Sequence, residues 1–346
     1  MGLDVYPWLK APALMLEKLR QKLPSAVLIY GQRGCGVYEL AASFARSILC
    51  EHPVQGGACG QCASCKLTEA GTHPDLRLVL SPAEEVAHPQ PWAVTKTTSE
   101  SKKGVSRQIP IEKIRSLGEF LSTTSHRGGN RVVLIYPANM MLADQSSALL
   151  KNLEEPPAGT TIVLATDDLD AMLPTIRSRC QLVRVPFPPK AQAQQFLREN
   201  GVKDPESTLA SFGGMPLLLF EKDVKLRLSE DVEAILLDLL LKGNQLKHFQ
   251  VFDALNIEIP LPAFIAYIQR FVCDLIYATQ GLAVRYNVKK QSEIISLAQN
   301  LDVKPLLAYW SEAGKMARMA DHPLNAKLTI QTFILKYSAS VVKKSA

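Results

Sequence analysis

The stretch GQRGCGVY, Gly31–Tyr38, follows an apolar run at 26–30 and precedes a helical pattern at 39–49. Strand, loop and helix in this order are typical of a phosphate-binding loop, whose glycines let backbone N–H groups surround an anion. Such a loop should next carry lysine and then serine or threonine, but this chain has Val37 and Tyr38. The outer phosphates therefore lose their ammonium partner, and magnesium loses a hydroxyl ligand. The loop predicts a nucleotide fold that has lost its nucleotide chemistry.

The second half of a nucleotide site is altered as well. It should be an apolar strand that ends in Asp-Glu, because these carboxylates hold magnesium and orient the attacking water. The apolar run at 132–135 ends instead in Tyr136-Pro137. Two independent losses in one site are more informative than one, and together they predict that the chain does not hydrolyse ATP.

Apolar runs alternate with helical patterns through the first half of the chain. Strands rich in Val, Ile and Leu that alternate with helices indicate a parallel sheet covered on both faces, an α/β fold. Pro, Ser, Thr and Lys dominate residues 81–108, which predicts an exposed, mobile insertion. The remaining predicted strands are 75–80, 161–166 and 181–185, and the predicted helices are 13–22, 111–122 and one that ends at 155.

The breaker cluster Pro186–Pro189 predicts a domain boundary. Short helical patterns follow, and from about residue 223 long stretches with a 3.6-residue period predict an all-helical region. We therefore expect three domains: an α/β domain at 1–187, a small helical lid at 188–222 and a helical domain at 223–346. The α/β domain contains a cysteine module at 50–65.

Four of the seven cysteines cluster with the spacing C-x8-C-x2-C-x2-C. They are Cys50, Cys59, Cys62 and Cys65. Glycines at 56, 57 and 60 allow the backbone turns that let four thiolates converge on a closed tetrahedral zinc site, which leaves no position for a catalytic water. The alternative is a set of reduced, unliganded thiols. His52 and His73 are expected to be surface or turn residues, because four cysteines complete the shell.

Composition limits the remaining possibilities. The scattered positions of the other three cysteines argue against a secreted disulfide framework. The N-terminus has no signal-peptide pattern and no run of about 18 uninterrupted apolar residues occurs, so we expect a cytoplasmic protein. The net charge of +6 is spread out and identifies no partner.

Two further stretches carry a family resemblance: ALLKNLEEPP at 148–157 and LPTIRSRC at 173–180. Their order and spacing closely resemble bacterial clamp-loader subunits of the AAA+ class, whose zinc module also lies between the phosphate loop and the second strand. With its degenerate nucleotide motifs, the chain is similar to the ATPase-inactive members of that family, the delta-prime class of DNA polymerase III subunits. The resemblance covers about residues 1–220 and rests on helical character beyond them.

The resemblance implies a stator that does not hydrolyse ATP and has no intrinsic catalysis. Such subunits join the gamma/tau-type ATPase subunits and the delta subunit in an arc that places the sliding clamp on primed DNA in replication. The helical domain at 223–346 would pack in a collar, and the zinc would be structural. Pro216 stands where active relatives carry an arginine that senses nucleotide. This is a third difference from active relatives, and like the other two it implies that ATP is not hydrolysed.

Ser178-Arg179-Cys180 matches a triplet of the family and implies that Arg179 serves as an arginine finger in a neighbouring subunit's site. The alternative for Arg179 is an ordinary surface residue. Arg177 is expected to be structural, and Thr166 to be a vestige of a water-sensing residue.

Two other functions stay open at this point. An active ATPase of the same family would need the absent loop lysine, and a zinc-containing DNA-binding module would need a concentrated basic face. Nucleotide binding without hydrolysis through the glycine backbone also stays open. Lys102, Lys103 and Arg107 are expected to lie in a solvated loop, with DNA contact as the alternative.

Overall fold

The computed structural model describes residues 6–55, 57–88, 106–220, 228–255, 257–317, 319 and 325–343. The described residues form two compact units. The first unit is built from residues of 1–202 and 214–222, and the second from residues of 203–213 and 223–346.

A five-stranded sheet forms the centre of the first unit. Its strands are β1 (Ala26–Tyr30), β2 (Leu76–Leu80), β3 (Arg131–Tyr136), β4 (Thr160–Thr166) and β5 (Gln181–Arg184). The strand order is β2-β3-β4-β1-β5, and all neighbours are parallel. Every residue of β3 and β4 is buried, so both faces of the sheet are covered. The predicted α/β fold with a parallel sheet is confirmed.

The helices of the first unit alternate with the strands. They are α1 (Lys10–Gln21), α2 (Val37–Leu49), α3 (Ala63–Ala70), α4 (Pro82–Ala87), α5 (Ile111–Ser122), α6 (Ala143–Glu154), α7 (Pro174–Arg177) and α8 (Lys190–Glu199). Helix α2 starts at the phosphate-type loop and lies against β1, β3 and β4. Apolar residues of α5 and α6, such as Leu117 and Leu149, share a core cluster with Leu28 of β1.

The predicted exposed insertion at 81–108 is wrong over its first part. Residues 82–87 form helix α4, and the Ser81 hydroxyl accepts a hydrogen bond from the backbone N–H of Glu84 at its start (3.4 Å). Ala83 and Glu84 are buried because this turn packs into the unit. Residues 89–105, which include Lys102 and Lys103, lie outside the described residues.

The second unit is helical over its described residues. Its helices are α9 (Pro205–Ser211), α10 (Glu230–Leu241), α11 (His248–Ala254), α12 (Leu261–Thr279), α13 (Gln291–Ala298), α14 (Val303–Ala317) and α15 (Ala326–Ser340). Helix α12 contacts α13, α14 and α15, and its Phe264 and Phe271 are fully buried in the shared core. The all-helical C-terminal region is confirmed.

By length and composition α12 could cross a membrane, and among the described residues it is the one helix that could. Its side chains have the character of a core helix instead. Asp274 is fully buried and its carboxylate accepts backbone N–H bonds from Arg285, Tyr286 and Asn287 at 2.7–3.0 Å. A buried charge satisfied by three amides is a feature of a packed protein interior.

Candidate functional site

The phosphate-type loop keeps the backbone shape that its glycines predict. Gly34 and Gly36 have φ of +80° and +97°, in the left-handed region that favours glycine. A Cβ atom on Gly34 would lie 2.5 Å from Cγ of Leu218, and the Leu218 segment is further held by the bond from Leu217 N–H to the Gly34 carbonyl (3.2 Å). The chain's own residues therefore cover the loop from one side.

Aromatic rings occupy the side-chain positions that would contact phosphate and magnesium. Tyr38, at the serine or threonine position, is buried and its ring centroid lies 5.3 Å from that of Tyr136, at the end of β3. His88, just after α4, places its ring 4.0 Å from Tyr38. The two sequence departures, distant along the chain, thus form one packed cluster that stands where a nucleotide site needs polar ligands.

The groups that surround this cluster are acidic. Glu84 is 1% exposed and pairs with Arg33 (3.1 Å) and His88 (3.4 Å). Burial acts to raise the pKa of Glu84, but His88 and Arg33 hold it below its usual value, so this side chain is an anion. Burial raises the pKa of Glu39, in the first turn of α2. Asp167 accepts the Tyr136 hydroxyl at 3.0 Å. Of these three acidic residues only Glu39 lies at the start of α2, and none supplies the positive charge that would hold a polyphosphate there.

The space left beside the loop is small. A cavity of about 270 Å³ remains, which is below the roughly 300–1,000 Å³ of most ligand pockets. Its wall is largely aromatic and acidic: Tyr6, Tyr38, Glu39, His88, Tyr136, Asp167, Phe196 and Phe220. Neither lysine nor arginine lines this cavity in the described part of the chain. These features oppose the binding of a nucleotide triphosphate with its magnesium ion.

The four clustered cysteines converge at a second place in the first unit. Their Sγ atoms all lie within 4.8 Å of one another. The separations are 3.6 Å for Cys50–Cys65, 3.8 Å for Cys50–Cys62 and 3.9 Å for Cys59–Cys65. A tetrahedron with zinc–sulfur bonds of about 2.3 Å has edges of about 3.8 Å, so the sulfur atoms fit one zinc ion.

Backbone N–H groups support the thiolate form at this cluster. The amides of Gln61 and Cys62 donate to the Cys59 sulfur at 3.5 and 3.4 Å, and they lower the pKa of Cys59 to about 6. The Cys59 amide donates to Cys50 Sγ at 3.2 Å, and the Cys65 amide donates to Cys62 Sγ at 3.4 Å. Such bonds favour the thiolate that a metal requires most clearly at Cys59, whereas burial raises the pKa of Cys50 and Cys65 in the absence of a metal.

His73 begins a turn, because its carbonyl accepts a hydrogen bond from the Leu76 amide (3.2 Å), but it is not a surface residue, since only 6% of it is exposed. The Asp75 amide donates to His73 Nδ1 (3.1 Å), so Nε2 carries the proton and donates to the Ser64 hydroxyl (3.2 Å). Burial lowers the pKa of His73. Glu51 accepts from both the amide and the hydroxyl of Ser64 and pairs with Arg127 (2.8 Å). These bonds fix α3, and with it the cysteine module, to the rest of the unit.

Arg179 lies between α7 and β5, away from the cysteine module, and is partly exposed. Its Nη2 pairs with Glu154 at 2.6 Å, and its Nη1 donates to the Thr175 carbonyl at 3.0 Å. Arg177 lies 3.7 Å from Asp170. Pro216 is buried and begins the 3₁₀ segment Pro216–Phe220.

Other site residues lie near the ends of the strands. The Thr166 hydroxyl donates to Asn139 and shapes the turn at Asp168, a structural role within this unit. The prediction from sequence did not include His88 or Asp167. The position of Asp167, directly after the central strand β4, was a usable signal, because polar groups at the carboxyl ends of parallel strands line the site of an α/β sheet.

Comparisons with known proteins agree with this geometry. The family model described as "DNA polymerase III, delta subunit" matches residues 12–189. A DNA polymerase III subunit delta' from Pseudomonas aeruginosa is 31% identical, covering 99% of this chain and 93% of that protein. The corresponding Escherichia coli subunit is 28% identical, covering 96% of this chain and 94% of that protein. A tau/gamma subunit of DNA polymerase III from Haemophilus influenzae is 30% identical over 51% of this chain and 22% of that protein.

Proposed function

The chain belongs to the family of DNA polymerase III delta-prime subunits, and from this premise we propose that it is the stator of a clamp loader. In this proposal it hydrolyses no ATP itself. It assembles in the cytoplasm with gamma/tau-type ATPase subunits and a delta subunit, and the complex loads a sliding clamp onto primed DNA.

The observation that carries the proposal is the filled nucleotide site. Tyr38 and Tyr136 pack where an active ATPase needs a hydroxyl and carboxylates for magnesium. Val37 is buried and supplies no charge to a phosphate. Acidic groups surround the remaining cavity. These features favour a subunit that takes part in the assembly without a nucleotide of its own.

We assign a structural zinc ion to Cys50, Cys59, Cys62 and Cys65. The sulfur separations fit a tetrahedral site, and four protein ligands leave no place for water. The ion would fix a segment that has few apolar residues of its own. The Glu51–Arg127 pair and the His73 bonds then connect the zinc module to the sheet.

Arg179 is proposed to reach the γ-phosphate of ATP bound by the adjoining ATPase subunit. A guanidinium is always charged and offers several N–H groups, which suits phosphoryl transfer. The side chain is 37% exposed, so part of it is accessible to a neighbouring subunit. The chain's own nucleotide site cannot use this residue if it holds no ATP.

The helical domain from residue 223 is proposed to be the main assembly surface. Apolar side chains such as Phe249 (60% exposed), Trp310 (43%) and Leu328 (59%) lie on the surface of the second unit. Exposed aromatic and aliphatic side chains of this kind are suited to cover a sister helix. The small helical lid at 188–222 remains part of the proposed three-domain organisation.

Calorimetry and reconstitution test the proposal together. Magnesium-ATP titrated into the isolated chain should give no saturable heat, while a gamma/tau-type subunit measured in parallel should. The same chain, mixed with the ATPase and delta subunits, should co-elute with them in size-exclusion chromatography. Tight magnesium-dependent ATP binding by the chain alone would contradict the stator assignment, and a failure to co-elute would contradict its place in the loader.

A further inference from the structure

Arg179 is held by two contacts within its own unit. Its Nη2 lies 2.6 Å from Oε1 of Glu154, and its Nη1 donates to the Thr175 carbonyl at 3.0 Å. The short separation is that of a charge-assisted hydrogen bond, but both side chains are partly exposed, so solvent screening keeps the pair modest in energy. A guanidinium has five N–H donors, so others stay available to a second acceptor.

Arg177 provides a comparison on the same segment. Its Nη1 lies 3.7 Å from Asp170, too far for a hydrogen bond, and the Asp170 side chain is 97% exposed. The two arginines have similar exposure, 35% for Arg177 and 37% for Arg179. They differ in that both terminal nitrogens of Arg179 are fixed.

The contact joins two separate stretches of the sequence. Glu154 is the last residue of α6, just before Pro156, and Thr175 lies in α7. Helices α6 and α7 pack against each other. The carboxylate is therefore presented from the end of a packed helix, and Arg179 lies in the short turn that directly follows α7.

We propose that Glu154 is a positioning residue for Arg179. The inference rests on the proposed arginine-finger role of Arg179 and adds the residue whose carboxylate orients the guanidinium. Together Glu154 and Thr175 restrict the rotamers of the guanidinium before a neighbouring subunit docks. Less conformational entropy is then lost when a phosphoryl oxygen accepts from the remaining N–H groups. Because both Glu154 and Arg179 are partly exposed, their pairing is weak enough to share the guanidinium with a phosphate.

The opposite role is that of a brake. The Glu154 carboxylate would then neutralise the guanidinium and keep it from the phosphate. The two roles predict changes of opposite sign when Glu154 is removed, because a positioning group speeds the reaction and a brake slows it.

The test uses the reconstituted loader with full-length chain variants and measures ATP turnover stimulated by DNA and clamp. Glu154→Ala should lower kcat about 3- to 10-fold, the factor expected when one long side chain must be ordered anew. The KM for ATP should change little, because the finger acts on the transition state. Glu154→Gln should stay within about 2-fold, since its amide oxygen still accepts the Nη2 hydrogen bond.

Two further variants separate positioning from a merely structural role. Glu155→Ala removes the next carboxylate of the same stretch and should leave turnover unchanged. Arg179→Ala should lower turnover more than Glu154→Ala, and the double variant should equal Arg179→Ala alone, because Glu154 acts through the arginine.

Each outcome has a distinct meaning. If Arg179→Ala lowers turnover while Glu154→Ala leaves it unchanged or raises it, the positioning role of Glu154 is wrong. The arginine-finger role of Arg179 is then still supported. If Glu154→Ala lowers turnover further in the absence of Arg179, the effect is structural and the positioning role is also wrong. If Arg179→Ala itself has no effect, the arginine-finger proposal fails, and the inference built on it fails for that separate reason.

Discussion

The Tyr136 hydroxyl is the most direct probe of how the former nucleotide site stabilises this fold. It donates to both carboxylate oxygens of Asp167, at 3.0 and 3.2 Å. Tyr136→Phe removes this hydrogen bond and keeps the ring that packs 5.3 Å from Tyr38. The substitution therefore isolates the polar contribution from the aromatic packing.

The expected loss follows from the geometry. A hydrogen bond to a charged group contributes about 1.5–3 kcal/mol. Asp167 is partly exposed, so water can replace the lost donor and the lower end applies, about 1.5 kcal/mol. For a unit of this size, about 1 kcal/mol corresponds to roughly 2–4 °C in Tm, which gives a decrease of about 3–6 °C.

Burial raises the pKa of Tyr136 well above its ordinary value, and the nearby Asp167 carboxylate raises it further. The folded state thus holds this proton more tightly than the unfolded chain, whose tyrosines titrate near about pH 10. The stabilisation of the folded state by the Tyr136 hydroxyl should be fully present below about pH 10 and should decrease as the pH rises above it. The difference in stability between wild type and Tyr136→Phe should therefore shrink in strong base.

Hydrogen exchange measured by mass spectrometry on the strands, alongside thermal melts, reports on the first unit within the full chain. Tyr30→Phe is the matched control, because the described residues provide no hydrogen bond for that strand-end hydroxyl. If Tyr136→Phe had the same Tm as Tyr30→Phe and the wild type, the reasoning about the Asp167 contact would be refuted.

Three further predictions follow from the proposed function. Metal analysis should find one zinc per chain, lost in Cys59→Ser and retained in Cys273→Ser; a metal-free wild-type chain with freely titratable thiols would contradict the site. Arg179→Ala should lower the stimulated ATP turnover of the reconstituted loader by about 10³ at the site it serves, while Arg177→Ala should not. Truncation of 223–346 should abolish co-elution with partner subunits, and undiminished binding by the remaining chain would show that the assembly surface lies elsewhere.

Much of this fold was predictable because local and tertiary preferences agree. The run at 26–30 is apolar throughout and the run at 131–136 is apolar after Arg131, and both are interior strands with those bounds. Helix α5 also has its predicted bounds, Ile111–Ser122, since its apolar residues recur with the helical period. A continuous apolar run thus accounts for the burial of the two strands, and the helical period accounts for the one buried face of α5.

The errors arose where distant residues decide the environment. Composition made 81–108 resemble a mobile loop, but Ser81 followed three residues later by Glu84 is a helix-start signal within it. The burial of His73 depends on its hydrogen bonds with the Ser64 hydroxyl and the backbone of Asp75. Spacing along the chain does not reveal such contacts.

The aromatic cluster beside the phosphate-type loop is tightly packed, so under the proposed function a stepwise change to an ATP-binding site would be unfavourable. Val37 is 2% exposed, and a lysine there would bury an ammonium group at substantial cost unless a phosphate were present. Replacing Tyr38 by a small hydroxyl residue would empty a packed position, at about 3–5 kcal/mol by analogy with large aromatic truncations. Tyr136 would then lose its stacking partner as well. We therefore expect each of these substitutions alone to destabilise the fold without completing a magnesium site.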